Sequence, residues 1–153
     1  MLDIYTVSLF GHREVPYDPP MIEQLEETIR NLLKNHQYVS FQVGREGEFD
    51  RLAASVIRRV RKEVGEHTSE LVWVMPYLKQ EYAKHPEDYE SYYTYIEICE
   101  ESELAHYKAA IGIRNQVMIN HSDLVIAYVR RQTGGVASAL RYAQKQNIPI
   151  ITL

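Results

Sequence analysis

Three pieces of the C-terminal third decide the fold: Leu124-Val125-Ile126-Ala127-Tyr128, then Thr133-Gly134-Gly135, then Ile148-Pro149-Ile150-Ile151-Thr152-Leu153. The first is a short, wholly apolar run of the kind that fills a strand buried on both faces. The glycine pair opens a helix that runs to about residue 145. The last piece is a second β-rich run, with Pro149 near its start, where a missing N–H is tolerated. Strand, helix and strand joined in this way predict a crossover between parallel neighbours.

The same alternation extends toward the N-terminus. Ile4 to Phe10 reads as a strand ending in Gly11-His12-Arg13, followed by a loop carrying Pro16, Pro19 and Pro20. Ile22, Leu25, Ile29, Leu32 and Leu33 recur at helical spacing. Tyr38 to Val43 is a second strand, closed by Gly44 and Gly47. Phe49, Leu52, Ala53, Val56, Ile57 and Val60 then form an amphipathic helix face. Leu71 to Met75 is a third strand, stopped by Pro76, and Tyr95 to Cys99 reads as another. A long helix is expected from about Glu103 to Asn120, with Leu104, Tyr107, Ile111 and Met118 on its apolar stripe and Arg114 among them. Residues 77 to 95, rich in tyrosine, carry no clear period; a lid, a short helix or an ordered excursion all fit. No Asn-Gly hairpin signal occurs. The expected fold is α/β: a single Rossmann-like three-layer domain over residues 1–153, with a mainly parallel sheet.

Composition agrees. The 153 residues are 45% hydrophobic and 25% charged, ordinary for a globular chain. Cys99 is the single cysteine, so no intrachain disulfide or thiolate metal site forms, and a reducing, cytoplasmic setting is expected. The N-terminus shows no signal-peptide pattern and no run approaches a membrane span. A balance of 17 basic against 21 acidic residues, net −4, argues against a nucleic-acid backbone binder. The histidines lack metal-ligand spacing, so no metal or cofactor is expected.

Ligands of open parallel sheets bind outside the carboxyl ends of the strands. Three loops there carry unusual residues. Thr133, Gly134 and Gly135 open a helix whose first N–H groups suit an anion, with Ser138 as an extra hydroxyl. Gly11, His12 and Arg13 follow the first strand; Arg13 can grip a phosphate bidentately. Gly44 to Asp50 holds Glu46, Glu48 and Asp50. These acids serve the helix N-terminus, bind ribose hydroxyls, or act as a catalytic base. Arg114, charged on an apolar stripe, must find partners or a pocket. It reaches the strand ends if its helix packs with the C-terminal half toward them. Asn115 beside it is a second candidate contact.

Arg114-Asn115-Gln116-Val117-Met118, Ser122-Asp123-Leu124-Val125-Ile126-Ala127, Thr133-Gly134-Gly135 and Ala143 together resemble the SLOG superfamily. Gly11-His12-Arg13 and the Gly44 to Asp50 segment are most similar to its YpsA-like branch. The resemblance implies a Rossmann-like fold that binds nucleotides or nucleotide-derived ligands. The Lonely Guy phosphoribohydrolases are more distant relatives. Their site pairs a helix arginine, matched by Arg114, with a glutamate after a Gly-Gly-x-Gly-Thr loop. Here Leu140 stands in place of that glutamate and Ala137 in place of the third glycine. Binding or sensing of a phosphate-bearing nucleotide-type molecule is therefore the leading expectation. Cleavage of an N-glycosidic bond, using Glu46, Glu48 or Asp50, comes second. Single-strand nucleic-acid binding, as in the DprA members, comes third, and a homodimer is a further expectation.

Overall fold

A computed structural model describes residues 2–153. Its centre is a six-stranded sheet in the order β4-β3-β2-β1-β5-β6, in which every pairing is parallel. The strands are β1 (Ile4–Gly11), β2 (Tyr38–Val43), β3 (Ser69–Met75), β4 (Tyr95–Ile98), β5 (Leu124–Tyr128) and β6 (Ile150–Thr152). Successive side chains leave a strand on opposite faces. On β5, Leu124, Ile126 and Tyr128 join one core, while Val125 and Ala127 join the other. The sheet is thus buried on both sides, which explains why its strands read as continuous apolar runs.

Helices α1 (Pro19–Asn35) and α2 (Glu48–Val64) cover the first face. Asp18 caps α1 by accepting the Met21 N–H, and Pro19 and Pro20 fill its first turn, positions where no N–H is needed. The apolar stripe of α2 is buried through Phe49, Ala53, Val56, Ile57 and Val60. Helices α6 (Tyr107–Asn120) and α7 (Gly135–Lys145) cover the other face. No helix among the described residues is long and apolar enough to cross a membrane.

The tyrosine-rich stretch forms α3 (Gln80–Lys84) and α4 (Pro86–Glu90), an ordered excursion ahead of edge strand β4. Its rings pack on the buried Trp73. Tyr82, Tyr89 and Tyr93 lie 5.2–6.0 Å from it, centroid to centroid. The missing periodicity has a physical cause: two five-residue helices are too short to show one.

Three expectations about elements need correction. The helix expected from Glu103 is two pieces, α5 (Glu100–Glu103) and α6. Leu104 lies in the turn between them and is 97% exposed, so it is no part of a buried stripe. His106 starts α6 instead, its Nδ1 accepting the Lys108 N–H. The final strand is only Ile150–Thr152. Lastly, α6 follows β4, so its N-terminal half, not its C-terminal half, lies toward the carboxyl edge of the parallel sheet.

Candidate functional site

Strand order reverses its direction of growth at β1. From there the chain builds outward through β2, β3 and β4 on one side, and through β5 and β6 on the other. Loops diverge at such a switch point and leave a crevice beyond the carboxyl ends. A cavity of about 380 Å³ occupies that place. The end of β1 contributes Gly11, His12 and Arg13 to it, and the β2–α2 loop contributes Gly44, Glu46, Gly47 and Asp50. Helix α6 adds Ile111, Arg114 and Asn115, and the β5–α7 connection adds Arg131, Gly134 and Gly135.

Most of the residues expected from the sequence therefore meet in one place. Thr133, Glu48 and Ser138 do not line it. Thr133 is exposed. Glu48 accepts the Val15 N–H through Oε2 and so braces the loop after β1. The Ser138 hydroxyl accepts from Arg141 Nη2 along its own helix.

Gly134 has φ +96°, a conformation costly for any residue with a Cβ. This turn sets the first peptide of α7 at the cavity wall, with the unpaired N–H groups of its first turn. Arg13 and Arg131, both exposed, have no side-chain hydrogen-bond or ion-pair partner among the described residues. Its neighbour Arg130 is committed to structure. Its guanidinium lies 4.2 Å over the Tyr128 ring and donates to the Leu153 carbonyl. Arg131 was not singled out from the sequence; its signal was a second cation directly beyond the end of β5.

Arg114 does not stand as a free counter-charge. It is 3% exposed and fully engaged. Nη2 donates to Glu46 Oε1 at 2.7 Å and Nη1 to Glu46 Oε2 at 3.4 Å. Nη1 also donates to the Val74 carbonyl at 2.8 Å, and Nε to Asn115 Oδ1 at 3.1 Å. The pair lies directly on Gly44. A Cβ there would come within 2.5 Å of Glu46 Oε1 and 2.9 Å of Arg114 Nη1. Lys79 Nζ lies 4.0 Å from Glu46 Oε2.

Asp50 lies beside this pair, with Oδ2 accepting the Glu46 N–H at 3.0 Å. Burial, reinforced by the Glu46 charge, pushes its carboxyl up to about 6. His12 is 5% exposed, and its Nε2 accepts the Arg130 N–H at 2.8 Å. Its proton therefore resides on Nδ1, which has no acceptor among the described residues. Burial, then the charges of Arg131 and Arg130, hold its pKa below the usual histidine value. The cavity thus combines guanidinium groups, a neutral imidazole donor and two carboxylates. Among the described residues, no three His, Cys, Asp or Glu side chains gather to hold a metal.

No family model matches the sequence, and no curated protein matches it either. Solved structures do. DNA processing protein A from Helicobacter pylori, described with a single-stranded DNA binding mode, aligns with TM-score 0.66 at 20% identity over 97% of this chain and 64% of its own. DprA from Streptococcus pneumoniae aligns with TM-score 0.69 at 14% identity, over 97% of this chain and 50% of its own. The molybdenum cofactor carrier protein of Chlamydomonas reinhardtii aligns with TM-score 0.59 at 11% identity, over 98% and 76%. The chain thus spans between half and two thirds of the DprA chains it matches. At these identities the likeness establishes architecture: the fold is Rossmann-like and related to that of DprA.

Proposed function

We propose that the switch-point cavity binds a phosphate-bearing, nucleotide-type small molecule. One observation carries this reading: two unpartnered guanidinium groups, Arg13 and Arg131, converge with the open first turn of α7 on a single cavity. Unpaired cations beside free N–H groups suit a phosphate, whose oxygens accept from both. His12 Nδ1–H supplies a neutral donor nearby. Glu46 and Asp50 repel phosphate and suit sugar hydroxyls. The reading keeps residues 1–153 as one nucleotide-binding domain of the SLOG type, closest to the YpsA-like branch, acting in the cytoplasm. The lone Cys99 fits that setting.

The test is calorimetric titration with nucleoside monophosphates, inorganic pyrophosphate and ADP-ribose. Wild type is expected to bind at least one of them. Arg13→Ala and Arg131→Ala should each weaken binding roughly tenfold, in line with a lost charge-assisted contact. Gly135→Asp, which has open space for its side chain, should abolish binding without unfolding the protein. Equal affinities in all four proteins would refute the assignment.

A second reading rests on Asp50. A carboxyl poised near neutrality beside a second carboxylate is suited to proton transfer. In that reading the cavity cleaves the N-glycosidic bond of a nucleotide, with Asp50 as general base. Free base released by wild type and lost in Asp50→Asn would support it; no turnover across the nucleotide set would end it. The DprA neighbours raise single-strand binding, against which the net charge of −4 weighs. Oligonucleotide affinity that falls steeply with salt would favour it.

A further inference from the structure

We propose that Tyr107 is a stacking platform for the base of the cavity's ligand, so that the pocket selects nucleotides over bare sugar phosphates. The inference rests on the phosphate reading above and goes beyond it by assigning the ligand's second recognition group.

Residues three, four, seven and eight apart share one face of a helix. On α6, Ile111, Arg114 and Asn115 all line the cavity. Tyr107 stands four residues before Ile111 and seven and eight before the other two. It is therefore the next residue of the same face, roughly 6 Å farther along the axis. Because the N-terminal half of α6 lies toward the carboxyl edge of the sheet, that step leads outward, away from the buried Arg114 and Asn115.

Tyr107 lies beyond the residues that line the cavity itself and is 62% exposed. Its ring stacks on His106 at 4.7 Å and 29°, and its hydroxyl has no hydrogen-bond partner among the described residues. Most other aromatic side chains of the chain are spent on packing. Tyr93 and Tyr128 are buried, and Tyr82, Tyr89 and Tyr92 pack against the core. Tyr17 and Tyr95 are exposed too, but neither shares a helix face with cavity residues. An exposed, unanchored ring gains nothing for the fold, whereas a planar base gains a partner on it.

The set of groups fits one ligand class: cations and free N–H groups for phosphate, Asp50 and Glu46 for hydroxyls, Ile111 for an apolar contact, and Tyr107 for a π-face. A nucleotide carries phosphate, sugar and base, one partner for each. Stacking tolerates any base, since each has a π-face, so the platform confers affinity for nucleotides as a class.

The experiment titrates AMP, UMP and ribose 5-phosphate into wild type, Tyr107→Ala and Tyr107→Phe. Tyr107 is exposed, so both variants should fold, and unfolding midpoints check this. Wild type is expected to bind AMP roughly tenfold more tightly than ribose 5-phosphate, the scale of one base–aromatic stack. Tyr107→Ala should erase that difference by weakening AMP alone, and Tyr107→Phe should keep it. Equal binding of AMP and ribose 5-phosphate by wild type would overturn the platform and leave the phosphate reading standing. So would AMP affinity unchanged in Tyr107→Ala. Failure of wild type to bind any of the three would overturn both.

Discussion

Glu46→Ala is expected to destabilise the protein by about 3–5 kcal/mol, the usual scale for breaking a buried ion pair by removing one partner. Arg114 and Glu46 have side-chain exposures of 3% and 10%, so water screens their contact poorly. Without Glu46, the guanidinium keeps only the Val74 carbonyl and Asn115 Oδ1 as acceptors. A charge left in that state is unfavourable. A comparable pair on the surface would contribute about 0–1 kcal/mol. Total stabilities run to about 5–15 kcal/mol, so the expected loss is a large share. Glu46→Gln should cost less, because it keeps the shape and one acceptor. Arg114→Met combined with Glu46→Gln should recover part of the loss, since neither member of the pair is left as an unpaired charge. Urea unfolding at neutral pH, with the slope compared between variants, measures all three. A loss under about 1 kcal/mol in Glu46→Ala would mean that the pair is solvated. The pair also bears on how binding is dissected. Replacing Arg114 changes folding and cavity together, so Arg13 and Arg131 are the cleaner probes of a phosphate contact.

The alternation of apolar runs and amphipathic stripes was enough to read the parallel sheet, because each core strand is buried on both faces and each long helix presents one apolar side. The gathering of Gly11, Gly44 and Gly134 at one edge followed from the same logic, whereas Arg114 reaches that edge on a helix running opposite to the direction expected. In a parallel sheet all strand ends point one way, so loops distant in sequence share an edge. Pairing within the site was not legible. Arg114 and Glu46 are 68 residues apart, and nothing local in either segment says which charge meets which. A cation on an apolar stripe reads equally as a ligand contact or as half of an internal pair. Arg130 and Arg131 make the same point. They are chemically identical neighbours, yet one is held by Tyr128 and Leu153 and the other is left over. Leu104 shows a different failure. Its spacing suits the α6 stripe, but His106 caps the helix after it and places it in solvent.

Asp50→Asn is expected to stabilise the protein at neutral pH by up to about 3 kcal/mol and to change little near pH 3.5. Moving the carboxyl from its ordinary 3.8 to about 6 corresponds to roughly that free energy. The sign follows from linkage. The folded state holds the Asp50 proton more tightly than the unfolded chain does. The resulting stabilisation is complete below about pH 4 and is lost as pH rises through about 6. Above that, wild type holds a partly buried carboxylate beside Glu46, whereas asparagine is neutral and its Oδ1 still accepts the Glu46 N–H. The difference in unfolding free energy between variant and wild type should therefore grow from pH 4 to pH 7.5, with its steepest rise between about 4 and 6. His12, whose pKa is lowered by burial and the two arginines, titrates in both proteins and largely cancels in that difference. A flat profile would mean that Asp50 is well solvated and has no special proton affinity. A rising one joined to weaker AMP binding would mean that the fold carries an unfavourable carboxylate where its ligand needs one. Sites that break a local rule of stability in this way are where function is expected.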